Sequence, residues 1–152
     1  MNIIGLGTAG CKIANCFGEY PQYNIYKIDT DIEGPRCYSL PQCATAEEYE
    51  RVRLPKIKAF LKDLSGETLI VIGGSGKSSC ASLRVLENIK KLPISVLYIK
   101  PDMSLLTGDA LLRERVVFGV LQEYARSGVF EKIYLVSNEK LDNIIDGAPI
   151  IG

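Results

Sequence analysis

The chain has 152 residues, a length that fits one domain with a substantial core. Hydrophobic residues make up 47% and charged residues 24%, which is typical of a globular domain and excludes an intrinsically disordered chain. Eighteen Lys and Arg balance eighteen Asp and Glu, so no net charge favours nucleic acid or an acidic membrane surface as a partner.

The chain has five cysteines without a CxxC pair, and it has no histidine. This pattern excludes a zinc site of the usual kind, which needs Cys and His at short fixed spacings. The odd, scattered cysteine count indicates a reducing compartment, and we expect a cytoplasmic protein. The N-terminus has no signal-peptide pattern, and no apolar run approaches the ~20 residues of a membrane span.

The first half of the chain alternates short apolar runs with helical patterns. We predict a strand over residues 2–4, a helix over 9–17 and a strand over 24–28. Residues 32–44 have the composition of a loop, with a short edge strand near Tyr38. Thr45 and Glu48 form a capping-box pattern that begins a helix. That helix is expected to run towards Leu64, with a kink or break before Pro55.

The second half continues the alternation. Residues 68–72 are apolar on both faces, as in a central parallel strand. We then predict a helix over 78–92, a strand over 94–99, a helix over 109–126, a strand over 133–136 and a short helix over 139–145. The expected buried face of the long helix comprises Leu112, Val116, Val117, Val120, Leu121 and Tyr124.

This order of elements predicts a single α/β domain over residues 1–152. Strands that alternate with helices at this spacing form a doubly wound, mostly parallel, Rossmann-like sheet with helices on both faces. Ligands of such sheets bind beyond the carboxyl ends of the strands, near the point where the strand order reverses.

A first glycine-rich loop follows the first strand. Residues 5–10 read Gly-Leu-Gly-Thr-Ala-Gly, a G-x-G-x-x-G pattern between strand and helix. We expect Gly5 to permit the tight turn, Gly7 to let backbone approach an anion and Gly10 to let the helix pack on the strand. The unpaired N–H groups at the helix start predict a phosphate site that includes Thr8 and Ala9. The alternative is a tight structural turn.

A second glycine-rich loop follows the central strand, where residues 73–79 read Gly-Gly-Ser-Gly-Lys-Ser-Ser. It is not a Walker A loop, because that pattern needs a glycine where Val71 stands. The alternative to a ligand loop is a flexible turn capped by Ser78 or Ser79. We predict that the loop also contacts phosphate, through Gly73, Gly74, Ser75, Gly76, Lys77 and Ser78.

Charge at the helix starts supports this prediction. Acidic residues in a first helical turn stabilise it by roughly 0.3–1 kcal/mol each, and the helices at 45 and 109 follow that rule. The helices after the glycine loops have no early acid and carry Lys12 and Lys77 instead. We infer that these two helix ends face a polyphosphate. A solvated surface lysine is the alternative for Lys12.

An acidic pair, Asp29 and Asp31, closes the second strand. In a dinucleotide enzyme an acid at this place binds the ribose hydroxyls. In a nucleoside triphosphate site Asp31 is a candidate neighbour of Mg²⁺, directly or through water. The simpler alternative is a turn-forming aspartate.

Four segments, in this order, resemble the tubulin/FtsZ family of GTPases. Residues 5–11 are similar to the first phosphate loop of that family, and residues 28–31 to its second nucleotide loop, with Asp29 in place of the usual Asn. Residues 72–78 resemble the tubulin signature loop. Residues 133–141 resemble the segment whose Asn binds guanine, which makes Asn138 the candidate base-binding residue. The resemblance covers nearly the whole chain.

The resemblance implies GTP or GDP with Mg²⁺ as ligands, and copies of the protein itself as partners in a head-to-tail, cytoskeleton-like assembly. It assigns no catalytic residue. The signature loop departs from the family at Ile72, Lys77 and Ser78, and the family's central helix and activation domain would follow Gly152. We therefore expect this chain to bind nucleotide but not to complete hydrolysis by itself. A Rossmann-type NAD(P)-binding protein and a structural or assembly module without nucleotide are the alternatives.

Overall fold

The computed structural model describes residues 1–73, 77–89, 91–101 and 103–137, with the backbone alone at positions 46, 77, 79, 83 and 103. The strands are β1 (Asn2–Leu6), β2 (Asn24–Thr30), β3 (Cys37–Leu40), β4 (Thr68–Gly73), β5 (Ile94–Lys100) and β6 (Lys132–Ser137). The α-helices are α1 (Gly7–Phe17), α2 (Ala46–Glu50), α3 (Ile57–Phe60), α4 (Ser82–Glu87) and α5 (Gly108–Arg126). Two 3-10 helices span Lys77–Ala81 and Met103–Leu105.

The six strands form one parallel sheet in the order β3-β2-β1-β4-β5-β6. The chain builds outward from β1 to one edge, then returns to the other side of β1 and builds outward again. The strand order therefore reverses between β1 and β4. This confirms the predicted parallel, doubly wound α/β architecture, including the edge strand near Tyr38, which is β3.

The sheet is covered on both faces. On one face the strands pack against α2 to α5, with Ile28, Ile72 and Tyr98 in the core. On the other face Ile3 and Val71 pack against α1. All residues of β1 are buried, as are the first five of β4, so the prediction of a central strand at 68–72 is confirmed. None of the helices in the described part of the chain has both the length and the apolar character that a membrane span needs.

The helix predicted to run from Thr45 towards Leu64 is instead two short helices. The capping box is present: Glu48 N–H donates to the Thr45 hydroxyl at 3.2 Å, and the Glu48 carboxylate accepts from Ala44 N–H at 3.0 Å. The helix then ends at Glu50. Pro55 disfavours helical backbone at the residue before it, and Lys56 is left-handed with φ 61°. The helical path is therefore interrupted until α3.

The helix predicted over 78–92 is shorter and begins as the 3-10 helix Lys77–Ala81, followed by α4. The predicted buried face of α5 is partly wrong. Leu112 is 62% exposed and Val116 42% exposed, whereas Val117 and Leu121 are buried. Glu114 shares the buried face at 2% exposure because the Tyr98 hydroxyl donates to its carboxylate. The predicted helix over 139–145 lies outside the described residues.

Candidate functional site

The two glycine-rich loops leave the sheet side by side. Strands β1 and β4 are neighbours, and Leu6 pairs with Ile72 at the carboxyl end of the ladder. Both strands therefore end at the same level, on either side of the point where the strand order reverses. In open parallel sheets this crevice is where ligands bind.

The first loop turns directly into α1. Gly7 has φ 77°, the left-handed conformation that glycine adopts without steric cost. The N-cap residue of α1, Leu6, makes no side-chain capping hydrogen bond, and the first turn contains no acidic residue. An α-helix leaves its first N–H groups without intrahelical partners, so Thr8 and Ala9 lie at a helix start that favours an anion.

The glycines of this loop have roles that differ in part from those predicted. A Cβ atom on Gly10 would collide with the Val71 carbonyl oxygen, so Gly10 does allow α1 to pack on β4. Gly5 was expected to form the turn, but it lies within β1. A Cβ atom on Gly5 would lie 2.6 Å from the Gly10 carbonyl oxygen, so Gly5 also serves the close approach of α1. The turn is made at Gly7.

The second loop meets the first at both of its described ends. A Cβ atom on Gly73 would lie 3.3 Å from the Ala9 Cβ, and a Cβ atom on Gly7 would lie 3.0 Å from the Ser78 Oγ. Four predicted phosphate-binding residues, Gly7, Ala9, Gly73 and Ser78, thus lie together at the carboxyl ends of β1 and β4. The backbone of Lys77 begins the 3-10 helix that contains Ser78. Gly74, Ser75 and Gly76 lie outside the described residues.

Asp29 lies beside the first loop. The Thr8 hydroxyl is 3.5 Å from Asp29 Oδ2, and Asp29 Oδ1 accepts from Thr30 N–H at 2.8 Å. The sequence placed Asp29 near a ligand but did not indicate its contact with Thr8, because the two residues come together only when β1 and β2 pair. Asp31 follows β2 as an exposed residue with φ 53°, so its turn conformation is observed.

Cys11 lies beneath the crevice. Its thiol is 3.5 Å from the Gly5 carbonyl oxygen and 3.7 Å from that of Ile28. Burial, reinforced by the nearby charge of Asp29, raises the pKa of Cys11 to about 11. The thiol is therefore neutral at physiological pH, and it joins α1 to β1 and β2 as a packing residue.

Two other predicted residues are less closely placed. Lys12 is exposed on α1 more than one turn from Gly7, as the surface-lysine alternative expects. Asn138, the candidate base-binding residue, lies outside the described residues. Among those described, no group of three or more His, Cys, Asp or Glu residues could hold a metal ion, so the suggested role of Asp31 near Mg²⁺ depends on phosphate oxygens as further ligands.

The sequence matches no protein-family model and no curated protein sequence. Its function is therefore inferred from the geometry of the two loops and from the chemistry of their residues.

Proposed function

We propose that the protein binds a guanine nucleotide through its phosphates, in the crevice between β1 and β4, in the manner of the tubulin/FtsZ family. The observation that supports this best is the convergence of Gly7 and Ser78 at the uncapped start of α1. A single glycine-rich turn has a structural explanation. Two such turns that meet where the strand order reverses form a site of the kind that binds phosphates.

The start of α1 supplies the electrostatic part of the proposal. An eleven-residue helix carries a partial charge equivalent to roughly +0.5 at its amino end, and its first N–H groups point out of the helix. Gly7, without a side chain, lets the Ser78 hydroxyl approach the start of α1. The Ser78 hydroxyl, which lies against Gly7, is a further donor for a phosphate. Lys77 precedes it and would add a full positive charge.

The choice of guanine and the wider assembly come from the family resemblance. β6 ends at Ser137 on the same edge of the sheet as both loops. The resemblance assigns base binding to the next residue, Asn138, whose amide can both accept from and donate to guanine. Within the same proposal, Mg²⁺ accompanies the phosphates near Asp31. Copies of the protein contact one another head to tail across the nucleotide in the cytoplasm. Hydrolysis is not part of the proposal.

A second candidate function is NAD(P) binding, and the position of Asp29 favours it. Asp29 is the second-to-last residue of β2, nineteen residues after Gly10, and its carboxylate is beside Thr8 of the glycine-rich loop. An acid there binds the ribose hydroxyls in dinucleotide-binding sheets. The third possibility is an assembly module that binds no nucleotide.

Titration calorimetry of the full chain with GTP, GDP, ATP and NAD, with and without Mg²⁺, separates these functions. We expect GTP and GDP to bind and ATP and NAD not to bind. Asn138→Ala should remove the preference for guanine. Lys77→Ala should weaken GTP binding, whereas Lys62→Ala, an exposed lysine on another part of the surface, should not.

Two outcomes would overturn the proposal. Binding of NAD with an affinity that falls in Asp29→Asn would establish the dinucleotide alternative. If none of the four nucleotides gave more heat than its injection into buffer, the result would favour the third possibility, an assembly module that binds no nucleotide. Sedimentation of the GTP-bound protein tests assembly separately, and a strict monomer at high concentration would contradict the head-to-tail part alone.

A further inference from the structure

A groove of about 920 Å³ lies near the amino ends of the strands, at the opposite end of the sheet from the glycine loops. Helices in a parallel sheet run antiparallel to the strands they connect, so α4 and α5 end at the amino edge. The groove is lined by residues where these helices end and by the segment that leads into α3. Ligand pockets of proteins span roughly 300–1,000 Å³, so this groove has the size of a small-molecule site.

The floor of the groove is apolar. Leu86 is fully buried, and Val52 and Ile57 are buried beside it. Tyr124 contributes an aromatic ring, which is held edge-on against Phe130 with 6.0 Å between the ring centroids. The floor residues are Val52, Leu54, Ile57, Leu86, Tyr124 and Val129. Such a floor removes aliphatic or aromatic carbon from water when a ligand binds, which favours a ligand with an apolar body.

The rim of the groove is basic. Arg53, Lys56, Lys58 and Arg84 face a single acid, Glu87, so these five side chains carry a net charge of +3 in a chain whose total is 0. The carboxyl ends of α4 and α5 contribute partial charges of only about −0.5 each. The rim therefore keeps a positive surplus, and an anionic group on the ligand would be attracted to it.

Arg84 gives the groove a defined shape. Its Nε donates to the Val52 carbonyl oxygen at 3.3 Å, and its guanidinium lies 3.5 Å from the Glu87 carboxylate. The side chain is 39% exposed, so it connects α4 to the segment before α3 and still presents N–H groups to the groove. A guanidinium has five N–H donors in a planar array, which suits a carboxylate or phosphate group.

We propose that this groove is a second ligand site, which binds an amphipathic anion: a phosphate or carboxylate group attached to an apolar body. The apolar body lies on the floor against Leu54 and Tyr124, which are partly exposed there. The anionic group lies at the rim against Arg53, Lys58 and Arg84. This site is independent of the proposed nucleotide site, because the two occupy opposite edges of the sheet.

Three probes of the full chain by heteronuclear NMR titration test the proposal. Octyl phosphate combines both features, octyl glucoside has the same apolar chain on a neutral group, and inorganic phosphate is the anion alone. We expect octyl phosphate to bind at least about tenfold more tightly than either of the other two. We expect the largest amide shifts at Leu54, Tyr124 and Val129.

A matched pair of double variants tests the role of the rim. Arg53→Gln with Lys58→Gln removes two rim charges and should weaken octyl phosphate binding about tenfold. Lys62→Gln with Lys91→Gln removes two exposed charges that do not line the groove, and binding should stay within twofold. All four changed residues are exposed, so thermal unfolding of both variants should match that of the parent.

Several results would overturn the proposal. Inorganic phosphate that binds as tightly as octyl phosphate would indicate a simple anion site, and equal weakening by both double variants would indicate attraction to net charge alone. Shifts centred on Gly7 and Gly73 would place the ligand in the other crevice. Tighter binding of an acidic helical peptide than of octyl phosphate would assign the groove to a protein partner instead.

Discussion

Gly7 and Ser78 lie against each other at the carboxyl edge of the sheet, where a Cβ atom on Gly7 would be 3.0 Å from the Ser78 hydroxyl oxygen. One residue begins α1 after β1, and the other lies in the 3-10 helix after β4. Their contact means that the two glycine-rich loops form one surface. It is also the contact most directly open to mutational test.

Gly7→Ala should destabilise the protein by about 1–2 kcal/mol, because φ 77° is a left-handed conformation that strains an L side chain. Gly128→Ala is a matched control, since Gly128 has φ 80° and no atom within 4 Å of an added Cβ. We expect Gly7→Ala to cost more than Gly128→Ala in urea unfolding. Adding Ser78→Ala should recover the difference. If Gly7→Ala and Gly128→Ala lose the same free energy, the two loops are not in contact.

Gly10→Ala should destabilise the protein by about 2–3 kcal/mol, because its methyl group would collide with the Val71 carbonyl of the central strand. Backbone lies on both sides of this contact, so neither can move aside cheaply. Gly119→Ala, within α5 and with open space around an added Cβ, should instead stabilise by roughly 0.5–1 kcal/mol. Thermal unfolding measures both. If Gly10→Ala stabilised the protein and Gly119→Ala destabilised it by similar amounts, the packing of α1 on β4 would be contradicted.

Tyr98→Phe should cost about 1–3 kcal/mol, because it removes the donor at 3.1 Å from the buried Glu114 carboxylate. Adding Glu114→Leu should recover much of this loss, since no buried polar group then needs that partner. Tyr134→Phe is the control: Tyr134 is 47% exposed, and we expect a change within ~0.5 kcal/mol. A Tyr98→Phe variant as stable as Tyr134→Phe would show that the hydrogen bond contributes nothing.

Cys11 and Cys80 should react with a thiol reagent far more slowly than Cys16, Cys37 and Cys43. Burial raises the pKa of Cys11 and of Cys80 from 9.0 to about 11, which lowers the thiolate fraction near neutral pH about a hundredfold. Limited access slows both buried thiols further. Ellman's reagent at pH 8 should therefore detect three fast and two slow thiols. Five fast thiols in the folded protein would contradict this prediction.

The same shifts predict how stability depends on pH. The unfolded state loses its thiol protons near the ordinary pKa of 9.0, whereas the folded state keeps them up to about 11. The contribution of these two thiols to the free energy of unfolding is therefore fully present below about pH 9 and is lost as the pH rises towards 11. Cys11→Ala with Cys80→Ala should flatten this part of the stability profile. An unchanged profile would count against the raised pKa values.

The elements with a clear pattern were predictable from local sequence. β4 is apolar on both faces, and the capping box at Thr45 is a local hydrogen-bond arrangement, so both could be identified without any tertiary information. The Gly10 role was also predictable, because a G-x-G-x-x-G pattern between strand and helix requires close packing there. The alternation of strands and helices predicted the class of fold but not the specific order of the strands in the sheet.

Tertiary structure decided which residues lie together. Leu112 and Val116 are apolar but exposed, whereas Glu114 is an acidic residue that is buried, because Tyr98 on β5 supplies its hydrogen-bond partner. No pattern within the helix contains that information. Likewise Arg53 and Arg84 meet at one groove only because α4 ends where the segment before α3 passes.

The sequence by itself determined that this chain alternates strands and helices and places glycine-rich turns after two of its strands, because these depend on backbone sterics and on periodicity within a few residues. Only the tertiary structure decided that Gly7 lies against Ser78 and that Asp29 lies beside Thr8. The physical reason is that strand pairing joins residues far apart in the chain, and its free energy depends on the whole packed sheet rather than on any one segment.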